Sequence, residues 1–144
     1  MRKALRLRWV LLPLVSALAF ASAWAFAQSA GSPDAELRTA MAHAGFAAKA
    51  DALDGVTLHL RHVLNCVVGP QDRQFNAGAG NPCQGQGNGA LPDLKAKTGQ
   101  DLQYYQAWWV AQIANRGIAS NNLQEAKAAA QIASLILQDA TKAR

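Results

Sequence analysis

The chain has 144 residues, 51% of them hydrophobic, with 14 basic and 9 acidic side chains and only two cysteines. That suits one hydrophobic core rather than several domains. The basic excess sits at the start: Arg2, Lys3, Arg6 and Arg8 fall in the first 27 positions and no acidic residue does. The remainder carries ten basic against nine acidic residues. It has neither the clustered basic face that nucleic-acid binding needs nor a polybasic membrane patch.

After the basic start comes an apolar run, Trp9 to Phe20, broken only by Pro13 and Ser16. Ala21-Ser22-Ala23 and Ala25-Phe26-Ala27 then place small residues at cleavage spacing. A positive end, an apolar centre and an A-x-A exit make a secretory signal peptide. The apolar centre is shorter than the ~20 residues that span a bilayer as a helix. The expected division is a signal peptide over 1–27, cut after Ala27 or alternatively after Ala23, and one domain over 28–144. The membrane is then met only during export, and the expected location is the periplasm.

In chain order, the first expected helix opens with Ser32 as cap, Pro33 at its first position, and Asp34 and Glu36 near its positive end. Leu37, Ala40, Met41, Ala44, Ala47 and Ala48 give it an apolar face, with Gly45 as a loosening point. The second begins at Asp51 or Asp54, with Leu53, Val56, Leu60, Val63, Leu64 and Val67 on its apolar face, and ends at Gly69-Pro70. Residues 69–92 are rich in Gly, Asn, Gln and Pro, follow no period and read as a loop. The third helix is expected over Asp93–Arg116, with Gly99 as a weak point, Leu102, Tyr105, Trp109 and Ile113 on one stripe, Tyr104, Trp108 and Ala111 on its flank, and Gly117 as its stop. The fourth starts near Asn121 or Asn122, with Asn122 and Glu125 spaced as a capping box. The expected fold is all-α: a small antiparallel bundle of about four helices, with a long loop between helices 2 and 3 pinned by a disulfide.

That disulfide is the reading for Cys66 and Cys83, since an even pair in an exported protein is normally oxidised. In the chain-entropy picture, closing a loop of this size stabilises by about 3 kcal/mol. The competing reading keeps two thiols or metal thiolates.

The candidate metal site lies just before Cys66. His59 and His62 stand three residues apart, and on a helix they fall within about 60° of one another and of Cys66. Neutral imidazoles one turn apart can bind Cu or Zn. With Cys66 oxidised the pair needs a third ligand, for which His43, Asp72, Asp93 and water are candidates. The plainer reading makes both histidines polar residues at the rim of the core.

A second candidate is an interaction surface. Tyr104, Tyr105, Trp108 and Trp109 pair one turn apart on adjacent helical stripes, so one stripe can serve the core and the other can cover the loop or meet a protein partner or apolar ligand. Other chemistries lack their marks. There is no C-x-x-C-H for covalent haem, and only His59 or His62 could pair with Met41 around a non-covalent one. Gly85 to Gly89 lacks the Lys-Ser/Thr of a phosphate loop, and no catalytic set emerges.

The run HLRHVLNCVVGP over 59–70, followed by Phe75, Asn81-Pro82-Cys83 and Gly87-Asn88-Gly89-Ala90, resembles a group of small exported proteins of Gram-negative bacteria. The likeness covers roughly residues 59–93. It implies a compartment and a helical architecture, and it places no catalytic residue on this chain. A broader likeness is to small periplasmic bundles that bind metals, which are often richer in His or Met. The expected function is an exported, non-enzymatic binding or stress-related protein, with Cu or Zn, another small ligand or a protein as the candidate partner.

Overall fold

A computed structural model of the protein describes residues 31–142; the expected signal peptide lies outside the described residues. Five α-helices account for most of the described chain: α1 Pro33–Lys49, α2 Leu53–Val68, α3 Ala90–Lys97, α4 Leu102–Ala119 and α5 Leu123–Ala140. A single 3₁₀ turn, Ala77–Ala79, interrupts the segment between α2 and α3. No strand occurs among the described residues.

Local chemistry explains most of the boundaries. Ser32 accepts a hydrogen bond from the Ala35 N–H at the head of α1, with Pro33 in the first turn. Asn122 accepts from the Glu125 N–H at the head of α5, while the Glu125 carboxylate accepts from the Ser120 hydroxyl instead of closing the box on Asn122. The expected third helix is two helices. Gly99 takes a positive φ of 76°, which ends the helical ladder between α3 and α4, and Asp101 recaps α4 by accepting from the Tyr104 N–H. At the other end of α4 the helix does not stop at Gly117 but runs on to Ala119. Gly45 likewise lies within α1, which continues to Lys49. Neither Asp51 nor Asp54 caps α2; it starts at Leu53 after Ala52, without a side-chain cap.

The four long helices form a ring in which α1 packs on α2, α2 on α4, α4 on α5, and α5 back on α1. Their sense alternates. The head of α4 meets the tail of α5 and the head of α1 through Gln103, whose amide donates to the Ala140 carbonyl and to Asp34. Leu60, midway along α2, faces Gly117 near the tail of α4. Short links at 50–52 and 120–122 turn the chain, and α3 lies against one end of the bundle.

The core is built largely from alanine. Ala40, Ala44 and Ala47 of α1, Ala107, Ala111 and Ala114 of α4, and Ala126, Ala130 and Ala133 of α5 are buried around Leu37, Val56, Leu60, Val63, Val110 and Leu137. Small side chains let helix axes approach closely. Gly117 marks the tightest point: a Cβ there would lie 2.6 Å from Leu60 Cδ1 and 2.8 Å from the Ala129 methyl.

This close packing decides which face of α4 turns inward, with Tyr104 and Ile113 at its edge. The buried residues are Ala107, Val110, Ala111, Ala114 and Gly117. Leu102, Tyr105 and Trp109 are 63%, 49% and 55% exposed. Bulky rings have no space where alanine-lined helices touch, so the period of the small residues, not of the aromatic ones, sets the inward face.

Between α2 and α3 the chain leaves the bundle and returns to nearly the same point. Gly69 (φ 78°) and Gly89 (φ 113°) sit back to back, and a Cβ on Gly69 would collide with the Asn88 carbonyl. Cys66 and Cys83 form a disulfide that ties the middle of this excursion to α2. Asn65, fully buried, holds the segment from the same turn: its amide donates to the carbonyls of Asn76 (2.8 Å) and Gly80 (2.6 Å), and its oxygen accepts from the Asn76 N–H (2.8 Å). No helix among the described residues is long and apolar enough to cross a membrane.

Candidate metal centre

Antiparallel packing of α1 on α2 brings His43 opposite His59 and His62. His43 Nδ1 lies 3.2 Å from His59 Nδ1 and 3.2 Å from His62 Nδ1. One ligand nitrogen from each ring lies within 4.8 Å of the other two. Phe46, one turn along α1 from His43, sets its ring edge-on to His43, with centroids 5.5 Å apart, and tilted against His59 at 5.4 Å. All three histidines are half-buried.

The proton count of this cluster is informative. His62 Nε2 lies 2.6 Å from the Ala79 carbonyl oxygen. A carbonyl only accepts, so Nε2 carries the hydrogen, and neutral His62 presents a lone pair at Nδ1. A proton on His43 Nδ1 can point linearly at only one of its two neighbours. The other 3.2 Å contact is then left as a close approach of two nitrogens without a linear hydrogen bond. A cation at the centre accommodates that approach, because it accepts all three lone pairs.

The distances suit such an ion. Zinc binds imidazole nitrogen at about 2.0–2.1 Å, which puts adjacent nitrogens of a tetrahedron about 3.3 Å apart. Metal-ligating histidines normally donate their other N–H to a carbonyl or carboxylate, and the His62–Ala79 bond is of that kind. The His43 and His59 rings are also biased toward the neutral form. Burial, and next the His62 and His59 rings, push His43 down to about 4 from 6.5. Burial, and then His62, lower His59 as well.

The other candidate ligands are elsewhere. Cys66 and Cys83 are joined, and no free cysteine exists among the described residues. Asp72, in the exposed part of the loop, accepts the Gln74 N–H. Asp93 is buried at the head of α3, where its carboxylate accepts the Asn88 N–H and the Asn88 side-chain amide, both at 3.0 Å.

Asp93 belongs to a second polar cluster that periodicity did not reveal. Glu36, expected only to complement the positive end of the first helix, is 1% exposed. Its Oε1 accepts the Gly89 N–H at 2.7 Å, and its carboxyl also meets the Asp93 side chain. Burial raises its carboxyl to about 7, the Asp93 carboxylate adds to the rise, and the Gly89 N–H works against it. Its place in the first turn carries no sign of burial; only the tertiary approach of the Gly89 neck to α1 makes it internal.

The aromatic block is divided by the helix surface. Tyr104 and Trp108 line a cleft of about 400 Å³ with Val68, Leu91, Pro92 and Lys95, where α2, α3 and α4 meet. Tyr105 and Trp109 face outward. None of the four is in the fully buried core. Compared with known protein families, with curated proteins and with solved structures, the chain matches none.

Proposed function

We propose that this is an exported metal-binding protein that holds a divalent copper or zinc ion between His43, His59 and His62. The observation that carries the reading is the convergence of three imidazole nitrogens within 4.8 Å, with those of His59 and His62 each 3.2 Å from His43 Nδ1 and one ring oriented by the Ala79 carbonyl. A disulfide in a small helical protein fits work in an oxidising compartment, here the periplasm, and the likeness to small exported Gram-negative proteins belongs to the same proposal.

Isothermal titration of the protein purified from the cell envelope, disulfide intact, with Cu(II) and Zn(II) tests it. One ion per chain is expected. His43→Ala, His59→Ala and His62→Ala should each weaken binding at least tenfold. Binding no tighter in the native protein than in the triple variant removes the reading.

A second reading rests on the outward stripe of Leu102, Tyr105 and Trp109, which together present an apolar surface suited to a protein partner. Strong protection of the Trp109 indole from a polar quencher in the isolated protein would count against it.

A further inference from the structure

We infer that a metal held by His43, His59 and His62 keeps one coordination position for a small exogenous ligand, filled by water or by a small monodentate anion. The inference rests on the metal reading above and adds what completes the coordination shell.

The donors that might close the shell are committed to other bonds. Cys66, one turn beyond His62 on α2, has its sulfur in the bridge to Cys83, so it offers no thiolate. The Asn65 amide, on the turn between them, is used at both ends by Asn76 and Gly80. The Ala79 oxygen faces His62 Nε2. Phe46 flanks the site with a ring that has no donor. Among the described residues the ligating group consists of the three histidines, with no Asp, Glu or Cys joining it. Three nitrogens occupy one face of a tetrahedron, and the vertex opposite that face belongs to a ligand from solution.

Charge specifies the class of that ligand. Three neutral imidazoles leave the full double charge of the ion in place, whereas a carboxylate or thiolate would have offset part of it. In three-histidine zinc sites the bound water is acidified to a pKa near 7 for this reason. The same excess charge favours an anion small enough to reach a half-buried metal over a neutral ligand.

Cobalt(II) substitution with azide as the probe reads this directly. The native protein should take up one cobalt per chain and show visible absorption bands of four-coordinate strength. Azide should then shift those bands in a single saturable step, with one azide per cobalt. His62→Ala should lose both the cobalt bands and the azide response. Cobalt bands that azide leaves unmoved would mean a fourth protein donor closes the shell; they would overturn this inference and leave the metal site standing. Failure of cobalt, zinc and copper alike to bind would overturn the metal reading, and this inference with it.

Discussion

Replacing Glu36 by glutamine should make the protein more stable at pH 8 and leave it nearly unchanged at pH 5. Glu36 is buried, its carboxyl is raised from the ordinary 4.5 to about 7, and burial is the main cause. A folded-state pKa above the unfolded one means that the native protein holds this proton more tightly. The associated stability is fully present below pH 4.5 and is lost as pH rises through about 7. At about 1.4 kcal/mol per pH unit, the loss is about 3 kcal/mol by pH 8. A glutamine side chain mimics the protonated acid: its oxygen can accept the Gly89 N–H, and its amide has no charge to bury. His43, lowered to about 4 from 6.5, acts in the opposite sense, stabilising as pH rises between those values. It is common to both proteins and cancels in the difference between them. Urea unfolding of native and Glu36→Gln protein, with a chelator present and the disulfide intact, should give curves that coincide within about 1 kcal/mol at pH 5 and separate by about 3 kcal/mol at pH 8. A constant difference across that range would refute the argument, because it would mean Glu36 ionises in the folded protein as it does in the unfolded chain.

Gly117→Ala should destabilise by about 1–2 kcal/mol in thermal unfolding, although alanine is the better helix former, because its methyl would press on Leu60 and Ala129. Asn65→Ala should cost about 3 kcal/mol in the same assay, since it orphans the Asn76 N–H and removes two further bonds to the loop. By loosening Ala79 it should also weaken metal binding about tenfold in titration calorimetry, although Asn65 is not among the three ligands. Cys66→Ser/Cys83→Ser should lower stability by about 3 kcal/mol and increase hydrogen exchange over residues 76–84 more than in α5. Trp109→Ala should change stability by no more than about 0.5 kcal/mol, as its ring is 55% exposed, while Leu37→Ala should cost about 2–5 kcal/mol.

Where chemistry is local, the sequence was a good guide. Ser32 and Asn122 cap as their positions predict, and α2 ends where Gly69 takes a positive φ. Its limits appear where distance along the chain matters. His59 and His62 share a helix, so their spacing was visible, but His43 stood as one of several third ligands because the register of α1 against α2 is a tertiary fact. The Glu36–Asp93 cluster was hidden for the same reason. The inward face of α4 is not legible from the sequence, because the large rings of two adjacent stripes compete with a run of alanines. In the bundle, close helix approach selects Ala107, Val110, Ala111 and Ala114 over Tyr105 and Trp109. Gly99 was visible as a weakness, but not as a complete break.

The back-to-back glycines at 69 and 89 close the feet of the intervening stretch against one another. Because its two feet already touch, its contour length is decoupled from the spacing between α2 and α3. Extra residues grafted at the exposed Gln84–Gly85 turn would lengthen this stretch without prying the helices apart. The scaffold beneath can therefore keep its alanine packing while this turn diverges or carries an inserted peptide.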